Sequence, residues 1–374
     1  MNLAYVNYIM DLDTSFGVYK KICAQKRACK SQGLPVDFFL FYSKGNFHLK
    51  EPWITRVPCK LKGFNHVTVI NSIYRAVNAY HLVILRALPR LPFYWWVMRR
   101  KTFLLITEHH TKLFNEMLAA RPRFLNYYIQ RLMNRVCISL SDGLIGMTDE
   151  IIRYEINHGH KTHGDTITIA NGCDVDQISF QGFAPFDGHT LHLIFVSSML
   201  QAWHGLERLL KSLENYSGDV NIVLHLVGAL DRHYFDRFHP NKTSLEFHGL
   251  LRGKALDEVF KKATIGISTL GLYRKQMNEA CSLKTREYAA RGLPLVYAYR
   301  DPDLSGNEIF CRRLPNDQSL IKIDDLIQFA ENVSTNIGYV ALEARTHAEK
   351  CMDWKPKVKR YYEFATYLYN TRSS

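Results

Sequence analysis

Short apolar runs recur along the chain, separated by longer stretches in which apolar residues return at helical spacing. In the first half the runs are Leu3–Ile9, Val36–Tyr42, His81–Arg86, Thr102–Thr107, Gly143–Met147 and Thr166–Ile169, with a weaker strand signal at Val67–Ile70. A turn containing Gly17 leads from the first run into a helix from about Val18 to Ser31, and a long helical region separates Thr107 from Gly143. The second half continues with strands at Leu191–Ser198, Asn221–Gly228, Leu245–Gly249, Thr264–Ser268 and Leu295–Ala298. Helices are expected from Trp203, over Ala255–Ala263, and through a basic, aromatic tail at Val340–Tyr369. Apolar strands alternating with helices predict α/β architecture, with parallel sheets covered on both faces and ligands bound beyond the carboxyl ends of the strands. Gln181–Gly188 carries turn residues at its corners and reads as a linker. A length of 374 residues exceeds one ordinary core and predicts two domains, 1–186 and 187–345, followed by a tail at 346–374.

One stretch concentrates candidate chemistry. Asn278–Pro294 reads as a loop feeding a helix from Leu283 to Arg291, with Ser282 as N-cap and Gly292 and Pro294 as stop signals. The first turn of such a helix exposes unpaired amides at the positive end of its dipole, which suits an anion. Lys284 in that turn opposes the dipole and is explained by a bound phosphate. Glu287 can reach back towards hydroxyl groups, and Glu279 hangs in the preceding loop. The competing reading is a solvated helix with surface carboxylates.

Composition and charge narrow the class. Hydrophobic residues make up 47% and charged residues 22%, as in a soluble globular protein. The eight cysteines are scattered without a C-x-x-C pair, which argues for a reducing compartment and against a zinc site or disulfide framework. No run reaches the length of a membrane-spanning helix, and the amino-terminal strand does not read as a secretory signal. The net charge of +13 is uneven: 23 basic against 13 acidic residues up to Phe180, and 25 against 22 after it. Such asymmetry suits a surface that meets polyanions, either nucleic acid or anionic lipid.

Glu279 and Glu287, separated by seven residues and followed by Ala290-Arg291-Gly292-Leu293-Pro294-Leu295-Val296, resemble the E-x7-E signature of the GT-B glycosyltransferases, especially the retaining family 4 enzymes. The resemblance covers the second half closely and the first in outline. It implies two Rossmann-like, doubly wound domains facing a cleft, with the tail crossing back onto the first. It also implies a hexosyltransferase-type enzyme using a nucleotide-sugar, UDP- or GDP-linked, and no further cofactor. No D-x-D signature is expected at a strand end: Asp11-Leu12-Asp13 falls after the first strand and Asp174-Val175-Asp176 at the domain exit, so metal independence is expected.

By the same resemblance Glu287 holds ribose hydroxyls, the amides around Ser282 and Leu283 cradle the diphosphate, and Glu279 lies against the donor sugar near the reaction centre. His109, with His110 as the alternative, contacts the sugar, although a structural histidine fits the same pattern. Gly17 marks a loop next to the donor phosphates, or only a turn. Asn171-Gly172-Cys173-Asp174-Val175-Asp176 matches the segment closing the first domain. His204-Gly205 stands where a Lys-Gly pair is usual, with no arginine just ahead, so Lys284, or Arg274 and Lys275, is expected to supply the missing charge. The loop Leu250-Leu251-Arg252 is expected over the nucleotide base.

Leu91–Lys101 sets an aromatic cluster beside three cations, and Arg121–Arg135 offers an apolar stripe edged by arginines. Both suit a protein lying peripherally on the cytoplasmic face of an anionic membrane and modifying a lipid-linked glycan during surface-polysaccharide assembly; core packing is the plainer use of such stripes. A non-catalytic partner subunit and a nucleic-acid-binding protein are the rival classes. Neither is favoured, because both glutamates are present and the cations and aromatics fall in two blocks rather than along a groove.

Overall fold

The computed structural model describes residues 1–13, 15–45, 51–57, 65–86, 98–113, 115–116, 132, 134–159 and 164–372. Most of the two segments expected at a membrane, 91–101 and 121–135, lies outside them. Among the described residues no helix is long and apolar enough to cross a membrane.

Thirteen strands are present among the described residues. They are β1 (Leu3–Asp11), β2 (Val36–Lys44), β3 (Ile54–Arg56), β4 (Leu82–Arg86), β5 (Leu104–His109), β6 (Gly143–Gly146), β7 (Asp165–Thr168), β8 (Thr190–Val196), β9 (Asn221–Val227), β10 (Thr243–Gly249), β11 (Ile265–Ile267), β12 (Leu295–Tyr297) and β13 (Cys311–Arg313). The helices used below are α1 (Phe16–Ser31), α2 (Asn65–Val77), α3 (Asp149–Gly159), α4 (Leu206–Glu214), α5 (Lys254–Phe260), α6 (Leu283–Arg291), α7 (Ile323–Ser334), α8 (Ile337–His347) and α9 (Trp354–Arg372).

The chain forms two compact units, Met1–Ala170 with Trp354–Ser374, and Asn171–Asp353. In the first, seven strands lie in the order β3-β2-β1-β4-β5-β6-β7, and in the second six lie in the order β10-β9-β8-β11-β12-β13, with every pairing parallel. Both orders run outward from a central strand and then reverse, the doubly wound pattern in which ligands sit at the reversal. The central strands earn their place by composition: Leu191, Leu193, Ile194 and Phe195 of β8 are all sealed from solvent, as strands covered on both faces must be.

Several boundaries differ from the sequence reading, among them β1, which runs on to Asp11, so that Asp11-Leu12-Asp13 starts at the strand's end rather than after it. Val67–Ile70 is no strand but part of α2, because the apolar period continues through Val69, Ile70, Ile73 and Val77, all buried against Ala4, Val6, Val83 and Leu85. β5 runs on to His109, so Glu108 and His109 lie within the strand rather than after it. The units divide at Ala170, ahead of the expected 186/187, because the intervening segment bonds into the second unit. Asn171 O accepts from Arg286 Nε at 3.0 Å, Ile178 O from Arg345 Nη1 at 2.9 Å, and Arg291 O from the Gln181 and Gly182 amides. The expected tail likewise splits. α8 packs on α6, and only α9 joins the first unit, where it buries Val358, Tyr361, Phe364 and Leu368.

Candidate active site

The second sheet reverses between β8 and β11, so its ligand crevice opens beyond Val196 and Ile267. The connections leaving these two strands touch there. Leu270 N donates to His204 O at 2.9 Å and Gly271 N to Trp203 O at 3.2 Å. Gly205 makes this approach possible: its φ is +70°, and a Cβ there would stand 2.4 Å from Gly271 N. The turn Ala202–His204 then leads into α4.

The helix α6 begins at this crevice, and its placement is over-determined. The Tyr288 hydroxyl accepts from Val196 N at 3.2 Å and donates to Ile267 O at 3.3 Å, tying the helix to the ends of both strands. Thr285 and Ser268 share a hydroxyl bond of 2.9 Å. Arg286 is fully buried. It binds Asp301 through both terminal nitrogens, with Nη2 at 2.6 Å, and meets Asp303 at 2.6 Å. A buried charge stripped of its partners costs about 3–5 kcal/mol, so this cluster fixes the helix firmly. Gly292 ends it in the left-handed region at φ +78°.

Ser282 occupies the cap position, but its hydroxyl makes no capping bond, contrary to the sequence reading. Among the described residues no acceptor is paired with the amides of Leu283 and Lys284, which the helix itself cannot satisfy. Leu283 is 38% exposed. The Lys284 ammonium stands over the Phe195 ring at 4.8 Å and, among the described residues, in no ion pair; burial pulls its pKa from 10.5 down to about 7. Lys275, itself buried, stands over the Trp203 ring at 4.5 Å. His204 receives the Gln201 amide on Nδ1 at 3.2 Å, and burial, with Lys284 and Lys275 nearby, pushes it down to about 2. A neutral histidine and two lysines therefore share the crevice, where open amides, a helix dipole and a proton-accepting lysine can receive an anion.

The other candidates are distributed as follows. Glu287 accepts from Arg291 Nη2 at 2.9 Å, and Arg291 in turn holds Asp257 at 2.7 Å. Glu279 faces Arg300 at 3.2 Å, and its backbone bridges to that of the same residue. Arg274 is committed to Glu207 and to Ala202 O, at the rim of a depression of about 710 Å³ lined by Gln201, Tyr234 and Arg237 among others. Lys284 and Lys275, rather than Arg274, thus stand with His204. Arg252 is exposed beyond β10, two strands from the reversal.

Gly17 and His109 belong to the first unit. Gly17 sits in the first turn of α1, where a Cβ would meet open space. His109 is buried between Glu155, 3.4 Å from Nδ1, and the Thr107 hydroxyl, 3.0 Å from Nε2. Beside it is a cluster the sequence reading did not assemble. The fully buried Glu108 accepts from the hydroxyls of Tyr5 and Tyr361, each at 2.6 Å, with His110 at 3.1 Å and Lys21 at 3.5 Å. Burial alone would raise this carboxyl, but Lys21, His110 and the hydroxyl donors outweigh it and hold the group well below its ordinary value. Burial pushes His110 down to about 3.

No family model matches the chain, and no curated protein matches it. Solved structures do. The sucrose-phosphate synthase of Thermosynechococcus elongatus aligns over 99% of this chain and 100% of its own, at 12% identity and a TM-score of 0.70. The lipopolysaccharide outer core galactosyltransferase WaaB, in its apo form, aligns over 100% of both chains at 11% identity and a TM-score of 0.61. An α-glucosyltransferase in complex with UDP-glucose and DNA containing an abasic site aligns over 97% of this chain and 99% of its own, at 11% identity and a TM-score of 0.64. At such identities the likeness is one of fold, and the chain folds as the two Rossmann-like units of the GT-B glycosyltransferases.

Proposed function

We propose that the chain is a retaining, metal-independent glycosyltransferase that moves a sugar from a nucleotide-diphospho-sugar to a hydroxyl of a glycan acceptor. The observation that carries this reading is the pairing of α6's open amino-terminal amides with Lys284 at the reversal of the second sheet. The donor diphosphate lies against the Ser282–Lys284 amides, and Lys284 takes up a proton as it binds. As the bond from the sugar's anomeric carbon to the phosphate breaks, the departing diphosphate gathers negative charge. Fixed amides and an ammonium stabilise that charge without reorganising. Glu287 accepts hydrogens from the ribose hydroxyls, and Glu279 stands against the sugar. A UDP-linked donor is favoured by the UDP-glucose held in one structural match.

The acceptor reading rests on the uneven positive charge, which suits a lipid-linked glycan at the cytoplasmic face of an anionic membrane, in surface-polysaccharide assembly. Transfer to nucleic acid is the second reading, favoured by the same charge and by the DNA in that structural match. Binding to anionic vesicles but not to oligonucleotides supports the first, and the reverse result supports the second.

The test of the donor site is thermal stability against UDP, GDP, CDP, ADP and dTDP, repeated with Glu287→Ala. A ligand that binds only the folded chain raises the midpoint. A rise with one nucleotide that disappears in the variant supports the assignment, and no rise with any of the five sinks it.

A further inference from the structure

Away from the crevice, β8, β9 and β10 of the second sheet bring three histidines and a glutamate together. Glu246 of β10 sits in register with His225 of β9, and His248 falls two residues on, at the register shift between Phe247 and Gly249. His225 Nδ1 lies 3.1 Å from Glu246 Oε2 and 3.0 Å from His248 Nε2, and the last two atoms are 3.6 Å apart. Three ligand atoms around a metal bonded at about 2.0–2.1 Å in tetrahedral geometry lie roughly 3.3 Å from one another. The observed triangle brackets that value. On its far side the His225 ring is met by His192: Nε2 of the former is 3.1 Å from Nδ1 of the latter. This is the arrangement by which a ligating imidazole is oriented through its second nitrogen.

We infer that His225, Glu246 and His248 form a binding site for a borderline divalent cation of the zinc type, with His192 positioning His225. The donor set of two imidazoles and one carboxylate selects for Zn(II), Co(II) or Ni(II) over Mg(II) or Ca(II), and leaves one coordination position for water. A ring proton bridges only one pair of these atoms at a time, whereas a cation bonds all three. His225 is buried, which holds its ring between His192 and the other two ligands. Glu246 is about half exposed and His248 partly so, which gives the ion a route in from solvent. Bound there, the ion cross-links the edge strand β10 to β9 and anchors the start of the loop that follows Gly249.

The full chain, stripped with a chelator, is titrated with Zn(II) by calorimetry, and with Co(II) followed by visible absorption. Expected are one equivalent bound, a higher melting midpoint, and a Co(II) spectrum without a thiolate charge-transfer band. Cys351→Ser removes the thiol that is exposed among the described residues and leaves binding unchanged. His248→Ala and Glu246→Ala abolish tight binding, and His192→Ala, which removes no ligand, weakens it about 10- to 100-fold. Glu246 is on the surface, so its variant keeps the test decisive where a histidine variant fails to fold. Absence of zinc binding by the parent chain overturns the inference. So does binding that survives Glu246→Ala undiminished, or a thiolate band.

Discussion

Lys284 makes the donor reading quantitative. In the chain without donor its pKa is drawn down to about 7, so the charged share falls from about 90% near pH 6 to about 10% near pH 8 and about 1% near pH 9. A bound diphosphate restores the charged form, so above neutrality binding must take up a proton. Affinity for UDP-glucose, whose diphosphate does not itself titrate in this range, should therefore weaken as pH rises. The loss is about tenfold between pH 6 and 8 and about a hundredfold by pH 9, or about 1.4 kcal/mol for each unit once the lysine is mostly neutral. Calorimetry in buffers of different ionisation heat reads both the affinity and the proton count. Lys284→Met should bind more weakly than the parent near pH 6 and show no slope. A parent affinity that stays level over this range, or an equal slope in Lys284→Met, refutes the argument. The same group has an opposite bearing on folding. Its folded pKa lies below its unfolded one, so the unfolded chain binds more protons between about 7 and 10.5, and this lysine's contribution to stability grows as pH rises through that window.

Two further outcomes concern the scaffold. Gly205→Ala combines a left-handed backbone with a collision against Gly271, and should cost about 2–4 kcal/mol in urea unfolding; a change below about 1 kcal/mol would show that the two loops separate freely. Tyr361→Phe removes a donor from a buried carboxylate and should cost about 1.5–3 kcal/mol at neutral pH. Because the folded Glu108 titrates below its unfolded value, its stabilisation is present above about pH 4.5 and is lost as pH falls through the folded value. Acid unfolding of Tyr361→Phe should therefore begin at higher pH than in the parent, and coincident acid transitions would contradict the network's role.

What could be read from sequence was what is local. Leu283–Arg291 was legible to the residue, because an extended cap, the left-handed Gly292 and Pro294 are adjacent signals. The sheets were legible as alternating apolar runs. Val67–Ile70 misled because four β-branched or apolar residues in a row fit either period, and only the continuation to Val77 decides. The Ser282 hydroxyl could not be placed, since cap identity fixes the backbone position and not where the side chain turns. Arg286 gave no sign of its partners Asp301 and Asp303, nor Glu108 of Tyr5 and Tyr361, because pairings across a fold leave no spacing to count. The same holds for His192, His225 and His248, which become neighbours only once β8, β9 and β10 lie side by side. Their strands were each foreseen; the order of those strands was not.

The second unit is one continuous stretch, and its two ends are stitched together. Cys173 and Asp353 form a parallel bridge, Cys173 N donates to Met352 O at 2.8 Å, and Asp353 accepts from Val175 N at 3.1 Å. The first unit instead depends on α9, whose Tyr361 reaches a carboxylate 253 residues earlier in the chain. During synthesis, then, residues 171–353 hold everything their own core requires, while the earlier-made unit stays short of its last helix until the later one has emerged. Contacts of such long sequence separation form slowly. All of 171–353 is made before α9, so the second unit can complete its core before the first has all of its own.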